Sequence, residues 1–381
     1  MILFTCILLA ITGSAYLLLF LVYIYGWYRQ QRFPLPGAFR PATTVTIVIA
    51  ARNEADNICA CIRSLLGQDY PKDLFRIIVA DDHSTDATAA IVRSIPADNL
   101  QLLSMQELPE QPGISFKKKA LAAAIALSQD ELIVTTDADC IAPPQWLQHI
   151  AACYTQSGAQ LIAAPVRFRP LPSLPGLFQS LDFMTMQGIT AATVALDLGI
   201  MCNGANLAFT RAAYQAVNGY EGVLHIASGD DYLLMMKIRK QFPDAIRYLK
   251  SPAAIVDTLP QPDWRSLLRQ RIRWASKTGK YEDRKMTLIL LLVYVFNVSL
   301  LFSGIISIFH PALLAVTGAW LAAKIIVELC FLAPVALFYR RPSQLFWFPL
   351  LQPLHILYIV VAGFLSTRGK YAWKDRQVQQ H

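Results

Sequence analysis

No charged residue occurs between positions 2 and 25. At about 1.5 Å per residue, that apolar run is long enough to cross a hydrocarbon core of roughly 30 Å. It also lacks the basic start and the small-residue cleavage site of a secretory leader, so a membrane span is predicted. Gly-x-Gly-x-x-Gly and Gly-Lys-Ser/Thr are both missing, which argues against a dinucleotide enzyme and a P-loop NTPase. The seven cysteines (Cys6, Cys59, Cys61, Cys140, Cys153, Cys202, Cys330) include no Cys-x-x-Cys pair and no metal spacing with histidine. They read as scattered reduced thiols of a cytosolic main domain. A formal net charge of +8 invites a nucleic-acid reading, but the basic residues gather beside apolar segments. Arg29, Arg32 and Arg40 follow the first, and residues 269–285 precede the second. A positive-inside bias accounts for this pattern, and no nucleic-acid partner is expected.

Hydrophobicity is abundant, with 55% apolar residues and a mean hydropathy of +0.39. Three more apolar segments, 286–310, 311–338 and 345–365, fill the end of the chain. The stretch between the first and second spans is long enough for one α/β domain. The predicted organisation is therefore an anchor at 1–28, a linker at 29–41, a catalytic-sized domain at 42–262, an interfacial amphipathic helix at 263–285, a transmembrane region at 286–366 and a basic tail at 367–381.

Within the central region, strands and helices alternate. A β-branched strand at 44–50 leads into Arg52-Asn53-Glu54 and a helix at 55–66. A strand at 74–80 ends in Asp81-Asp82-His83-Ser84-Thr85-Asp86, where Ser84 or Thr85 can cap the next helix. A third strand at 101–104 precedes Phe116-Lys117-Lys118-Lys119 and a helix at 120–127. The fourth, Ile133-Val134-Thr135-Thr136, ends in Asp137-Ala138-Asp139. Polar groups at successive strand ends of a parallel sheet converge on one edge, where open α/β sheets bind ligands.

Two acids two apart at a strand end can hold a hard divalent cation, Mg²⁺ or Mn²⁺, leaving its other positions to phosphate. Alone, Asp-x-Asp also fits a solvated turn before Pro143-Pro144. Asp81 or Asp82 can accept hydrogen bonds from a base or ribose, and Lys117 and Lys118 can pair with phosphate. Lys117 to Lys119 fit a solvated helix start equally well. Asn203-Gly204-Ala205-Asn206 carries amides suited to hydroxyl recognition and also reads as a turn. Gln270, Arg273 and Trp274 fall on one helical face, where Trp274 can stack on a sugar and Arg273 can face phosphate. An interfacial belt of Trp and Arg has the same pattern.

Taken together, Val48-Ile49-Ala50-Ala51-Arg52-Asn53-Glu54, Asp81-Asp82-His83-Ser84-Thr85-Asp86, Lys117-Lys118-Lys119-Ala120-Leu121 and Asp137-Ala138-Asp139 resemble the family 2 inverting glycosyltransferases of GT-A fold, in order and spacing. Asn203-Gly204-Ala205-Asn206, Gly229-Asp230-Asp231 and Gln270-Arg271-Ile272-Arg273-Trp274 resemble that family's acceptor-side segments. The last is a Gln-x-x-Arg-Trp signature found in cellulose, hyaluronan and poly-N-acetylglucosamine synthases and in some glycolipid synthases. The resemblance implies an α/β fold with a Rossmann-like, mostly parallel sheet in a cytosolic domain flanked by transmembrane helices. It implies that Arg52, Glu54, Asp81 and Asp82 contact the nucleotide, and that Lys117 or Lys118 neutralises the diphosphate. Gln270, Arg273 and Trp274 would complete the donor side. Asp139 is then the main metal ligand, with Asp137 on the ribose or the metal shell. Asp231 is the base beside Asp230, and Asn203, Asn206 and Trp274 meet the acceptor. Arg52 stands where many members have an aromatic residue, and Phe116 where many have glycine.

The chemistry asks for these residue types in its own right. An acceptor hydroxyl attacking an anomeric carbon loses a proton, which a carboxylate takes as general base. The departing nucleoside diphosphate gains charge that a divalent cation and lysine or arginine stabilise. One base and direct displacement predict inversion.

The expected protein is an integral membrane enzyme of the cell envelope, in the inner membrane with its catalytic domain cytosolic. It would move sugar from a UDP-type donor to a polysaccharide or lipid acceptor at the bilayer, with envelope-assembly subunits as further partners. Glycolipid synthesis without processivity, a non-catalytic scaffold subunit and a nucleotidyltransferase acting on lipid phosphate are the alternatives.

A cytosolic donor sets the spans so that the pair joined at His310-Pro311 returns the chain to Arg340-Arg341. Arg368, Lys370, Lys374 and Arg376 then fall outside, against the rule. Pro349 and Pro353 kink the last segment, which is spanning, re-entrant or interfacial. Lys324 and Glu328, four apart, line an acceptor path or form an intrahelical pair that snorkels near an interface.

Overall fold

The computed structural model describes residues 2–107, 115–198, 201–226, 229–275, 283–366, 370–373 and 376–379. In chain order the elements are α1 (Ile2–Arg29), β1 (Val45–Ala51), α2 (Ile58–Leu66), β2 (Phe75–Asp81), α3 (Thr88–Ser94), β3 (Leu100–Ser104), α4 (Phe116–Ala126), β4 (Leu132–Asp137) and α5 (Trp146–Ser157). There follow β5 (Leu161–Ala163), β6 (Val166–Phe168), α6 (Leu174–Leu196), β7 (Leu207–Thr210), α7 (Arg211–Ala216), α8 (Asp230–Gln241), β8 (Ile246–Tyr248) and β9 (Val256–Thr258). The chain closes with α9 (Trp264–Ala275), α10 (Arg284–Ser307), α11 (Ala312–Phe338), α12 (Phe348–Ser366), β10 (Lys370–Trp373) and β11 (Arg376–Gln379). Residues 276–282 of the expected interfacial segment, and Arg368 and Lys374 of the basic tail, lie outside the described residues.

The chain divides into two compact units. One comprises Gln31–Arg169, Met201–Leu259 and Ala372–His381. It carries a seven-stranded sheet of order β3-β2-β1-β4-β7-β5-β8. The strands β3, β2, β1 and β4 are mutually parallel, as are β5 and β8, while β7 runs antiparallel to both its neighbours. The α/β, mostly parallel architecture expected from alternating strands and helices is thus present. The central strands read as unbroken β-branched runs because both faces are covered: Ile47, Val48, Ile49, Ile77, Ile78, Val79, Ile133 and Val134 have no exposure. Parallel register sets Ala51 beside Asp81 and Ala50 beside Asp137, so both acids emerge at one carboxyl edge.

The turns leaving β1 and β2 are knitted together. Asn53 and His83 take positive φ of 51° and 58°, as amide and imidazole residues do more readily than most. Asn53 N–H donates to Ser84 Oγ (3.0 Å) and Asn53 Oδ1 accepts from Thr85 N (2.9 Å). Ser84 and Thr85 therefore brace the loop instead of capping α3. Asp86 serves the start of that helix, its Oδ1 accepting from Thr88 N at 3.0 Å.

The second unit comprises Met1–Gln30, Pro170–Ile200 and Pro260–Tyr371. Four of its helical segments, Ile2–Arg29, Arg284–Ser307, Ala312–Phe338 and Pro342–Ser366, are long and apolar enough to cross a membrane. The last opens with a short 3-10 turn, Pro342–Trp347, and continues as α12, with Pro353 inside the helix. Helix α6, inside the stretch 42–262, clusters here as well. Gly26 allows this packing, since a Cβ there would lie 2.7 Å from the Ala192 carbonyl oxygen. Aromatic pairs such as Phe20–Phe331 (5.8 Å) and Trp27–Phe338 (5.6 Å) join α1 to α11.

Lys324 and Glu328 do not snorkel. Lys324 has no exposure and Glu328 only 3%. The ammonium donates to Glu328 Oε1 (2.7 Å) and Gln352 Oε1 (2.7 Å), Gln352 Nε2 donates to Glu328 Oε2 (2.6 Å), and Tyr16 OH donates to Glu328 Oε1. A charge pair in an apolar interior persists when its remaining donors and acceptors are filled in this way.

Candidate active site

β4 delivers Asp137 at its last residue, and Asp139 follows in the turn. Ligand atoms of Asp137, Asp139 and Cys140 lie within 4.8 Å of one another. Thr258 Oγ1 donates to Asp139 Oδ2 at 3.3 Å, and Arg169 Nη2 donates to the Asp139 carbonyl at 2.6 Å, fixing the turn from β9 and from the end of β6. Burial pushes the Asp139 carboxyl up to about 6, with the charges of Asp137 and Glu54 adding to the effect. Crowded carboxylates of this kind fit a hard divalent cation, whose charge relieves their repulsion. The Cys140 thiol is held well above its ordinary range by burial and then by Asp139 and Asp137, so the oxygen ligands dominate the donor set.

Lys117, in the first turn of α4, provides the cation seen in this cluster. Its Nζ lies 2.8 Å from Asp137 Oδ1 and 3.2 Å from Asp230 Oδ2. Burial opposes its charge, but Asp137 and Asp230 outweigh that and hold it above the usual lysine range. Lys118 has a different task from the phosphate contact expected of it. Its side chain has no exposure and donates to the Ile226 carbonyl. Ser115 N–H bonds to the Leu224 carbonyl at 3.2 Å. The start of α4 therefore ties down Leu224 and Ile226, upstream of Gly229-Asp230-Asp231.

Gly229, at φ 82°, turns the chain into α8, whose first two residues are Asp230 and Asp231. Asp231 Oδ2 accepts from Gly204 N–H at 3.1 Å and Oδ1 accepts from Tyr232 N–H at 2.8 Å, which orients the carboxylate. A Cβ at position 204 would sit 3.2 Å from Asp230 Oδ2, a tight contact. Thr135 Oγ1 of β4 donates to the Gly204 carbonyl at 2.9 Å, so this turn is also tied to the strand that bears the metal-type acids.

The nucleotide-side residues expected from sequence take several forms. Asp81 is buried, and its Oδ1 has no hydrogen-bond partner among the described residues, an acceptor suited to a base N–H. Asp82 Oδ1 contacts His83 Nδ1 at 3.0 Å. Arg52 Nη1 donates to the carbonyls of Asp82 (2.8 Å) and His83 (3.1 Å), bracing the β2 turn. Glu54 Oε2 accepts from Asn57 at 3.0 Å, and its charge reaches Asp139.

Asn206 is not presented to an acceptor. It has no exposure, its Oδ1 accepts from Trp146 Nε1 (2.8 Å), and its Nδ2 donates to the carbonyls of Pro165 (2.8 Å) and Ala254 (2.9 Å). A buried amide with both ends engaged is a structural tie. Asn203 Oδ1 accepts from Ala205 N–H at 3.0 Å, capping the turn at Gly204.

Gln270, Arg273 and Trp274 lie on α9 in the helical unit. The cation over the Trp274 ring is Arg271, 4.6 Å from its centroid, a residue between the motif positions. Arg271 Nη2 donates to Asp182 Oδ2, which keeps the Asp182 carboxyl below the usual range despite its burial. Sequence spacing carries no signal for Asp182, Thr258 or Arg169, because each reaches its partner from a distant segment.

Two family descriptions match the chain: "Glycosyl transferase family 2" over residues 46–211 and "Glycosyl transferase family group 2" over residues 132–365, more than half of it. Among relatives, "Glycosyltransferase AglE" of Haloferax volcanii is 32% identical over 126 residues, which are 32% of this chain and 40% of that protein. An "N-acetylglucosaminyltransferase" of Rhizobium meliloti is 27% identical over 255 residues, covering 64% of this chain and 57% of that protein. The chain thus spans 40% to 57% of the length of these two relatives. A mannosyltransferase from Pyrobaculum calidifontis, solved with GDP-Man and Mn²⁺, shares the fold with a TM-score of 0.57 at 20% identity, covering 96% of this chain and 99% of that one. The chain belongs to the family 2 glycosyltransferases, with a catalytic unit of the GT-A type.

Proposed function

We propose that this glycosyltransferase is an inverting, metal-dependent enzyme of the inner membrane. It moves a sugar from a UDP-type donor on the cytosolic side to a polysaccharide or lipid acceptor at the bilayer. The observation that carries this reading is the convergence of Asp137, Asp139, Asp230 and Asp231 with Lys117 at one sheet edge.

Asp139 and Asp137 would hold Mg²⁺ or Mn²⁺, which when bound neutralises the donor diphosphate. Asp81, whose Oδ1 has no partner among the described residues, accepts from the nucleobase. Lys117 stabilises the leaving diphosphate as a point charge. Asp231 acts as base. Its two oxygens are held by Gly204 and Tyr232 N–H groups, so the carboxylate is preoriented to take the acceptor proton. A single base with no second carboxylate acting as nucleophile gives inversion. Gln270, Arg273 and Trp274 are assigned to the donor and acceptor sugars, and Asn203 to shaping the acceptor turn. Basic flanks of the spans support the cytosolic side for the catalytic unit.

A glycolipid-forming, non-processive enzyme is the alternative within this reading. A scaffold subunit has no use for the acid cluster. The test is incubation of purified protein in bilayers with a panel of UDP-sugars, with and without Mn²⁺. Release of nucleoside diphosphate and a product of inverted anomeric configuration is expected. Release of nucleoside monophosphate would instead identify a nucleotidyltransferase, and no turnover with any donor would leave the scaffold role.

A further inference from the structure

The turn that carries Asp137 and Asp139 ends in a thiol. Cys140 is 1% exposed, and its Sγ and the carboxylate oxygens of Asp137 and Asp139 lie within 4.8 Å of one another. The thiol donates to Asp139 Oδ1 at 3.6 Å. On an ion bound at about 2.3 Å by sulfur and about 2.0–2.2 Å by carboxylate oxygen, two such ligands at a tetrahedral angle are roughly 3.5 Å apart. Cys140 and Asp139 therefore stand at the spacing of two ligands on one ion.

The surroundings hold this arrangement from outside. Thr258 Oγ1 engages Asp139 Oδ2, which leaves Oδ1 to the thiol. Cys140 N–H donates to the Asp137 carbonyl at 3.1 Å, folding the turn so that all three side chains meet. Ile141 pairs with Asp257 through its N–H (2.8 Å) and its carbonyl (3.0 Å), which fixes the chain immediately after the thiol. Ligands oriented by outer hydrogen bonds in this way are set for a metal before it arrives. The Asp137 side chain keeps 38% of its exposure, so ions reach the centre from solvent. Cys61 of α2 also touches this turn, but it is fully buried and donates to the Asp137 carbonyl at 3.6 Å, on the backbone side.

A sulfur ligand changes which cations such a centre prefers. Mg²⁺ and Mn²⁺ take oxygen from carboxylate, phosphate and water, for which the two aspartates suffice, whereas thiolate selects Zn²⁺. When a thiophilic cation enters, the Cys140 S–H bond gives way to a metal–sulfur bond and the proton leaves to solvent. We infer that Asp137, Asp139 and Cys140 form a zinc-selective site, in which the Cys140 sulfur joins the two carboxylates and the bound Zn²⁺ shuts out the Mg²⁺ or Mn²⁺ used in transfer. The inhibition rests on the transferase reading; the three-ligand site does not.

The test uses the full chain in phosphatidylcholine nanodiscs with a phosphine reductant. Co²⁺ is the probe, since it takes the place of zinc and its bond to thiolate gives a near-ultraviolet charge-transfer band. The native chain should show the band and lose it when Zn²⁺ is added. Cys140→Ala should lack the band and bind Zn²⁺ about tenfold more weakly or worse, because even the outer partners of a metal site are worth that much. Its Mn²⁺ affinity, read by paramagnetic resonance, should stay within about twofold of native, since a hard cation relies on the oxygens. Cys61→Ala should keep the band. Asp139→Asn, which retains the thiol, should need about tenfold more Co²⁺ or above to reach the same band. No band in the native chain, a band undiminished in Cys140→Ala, or the same Co²⁺ requirement in Asp139→Asn overturns the inference. Equal losses of Mn²⁺ and Zn²⁺ affinity in Cys140→Ala overturn it as well, because the thiol would then be structural. Mn²⁺-dependent sugar transfer without the cobalt–thiolate band leaves the transferase reading standing and removes the zinc site. A Cys140-dependent band with no turnover of any nucleotide sugar leaves the zinc site standing, and the transferase reading alone fails.

Discussion

Asp137 and Asp230, far apart in the sequence, share one cation: the Lys117 ammonium is 2.8 Å from the first and 3.2 Å from the second. The bridge joins the end of β4, where Asp137 and Asp139 stand, to the start of α8, where Asp231, the proposed base, follows Asp230. A divalent cation taken up by Asp137 competes with this ammonium.

Lys117→Met is therefore expected to act with opposite signs on two ligands. Without nucleotide, Mn²⁺ should bind a few-fold more tightly, because the ammonium no longer competes for Asp137. UDP in the presence of Mn²⁺ should bind about tenfold more weakly, through loss of a phosphate partner. Paramagnetic resonance of free Mn²⁺ and calorimetry with UDP read the two effects, and a parallel change in both would remove Lys117 from its bridging role.

The raised carboxyl of Asp139, near 6 against an ordinary 3.8, gives a pH dependence of defined sign. In the metal-free protein, the folded state holds a proton between those values that the unfolded chain has released, so stability falls as pH rises through that window. Mn²⁺ affinity should rise over the same interval as the competing proton leaves. Thermal melts in chelator from pH 4 to 7 should slope downward for the native chain and flatten for Asp139→Asn. Asp139→Ala should also weaken metal-dependent donor binding.

Asp231→Asn keeps a side chain that can stay beside Gly204 and Tyr232 but cannot accept a proton as a base. UDP-sugar affinity should stay within about twofold, while transfer falls by roughly 10² or more, the usual worth of a general base. A variant with undiminished transfer would assign the base elsewhere, with Asp230 the first alternative.

Asn206→Ala separates a structural role from an acceptor role. It would leave Trp146 Nε1 and the carbonyls of Pro165 and Ala254 without this partner at a buried position. A loss of about 2–4 kcal/mol in stability is expected, with the acceptor KM of the folded fraction unchanged. Chemical denaturation and initial rates measure the two quantities, and a raised KM at unchanged stability would return Asn206 to the acceptor site.

In the membrane-type helices, Glu328→Gln leaves the Lys324 ammonium buried without its counter-charge. The expected cost is about 3–5 kcal/mol, much of which Lys324→Met in the same chain should restore, because the uncompensated charge disappears. Melting of both variants in one detergent tests this order, and a double variant weaker than the single one would contradict it.

Much of this architecture is written locally. Continuous β-branched runs specified strands covered on both faces, and acids after those runs specified which edge would carry chemistry. Apolar length specified four candidate spans. What escaped a linear reading depends on partners supplied from elsewhere. Lys117 and Lys118 are adjacent and chemically alike, yet one meets two carboxylates and the other is sealed against the Ile226 carbonyl. Ser84 leaves the start of α3 to Asp86 because the β1 turn offers Ser84 the Asn53 N–H. Helix α6 is interrupted by Gln179 and Asp182, which hides its apolar character until Gln261 and Arg271 are seen to engage those polar groups.

The sequence by itself determined the residue types, the strand ends that bear acids, the alternation that builds the sheet and the segments able to lie in lipid, because these follow from short-range periodicity and side-chain chemistry. Only the tertiary structure decided which acid shares Lys117, which asparagine is sealed in the core, and which groups pair the buried charges. Those outcomes turn on distance between segments remote in the chain, where hydrogen bonding and electrostatics act over a few ångströms and sequence order carries no measure of proximity.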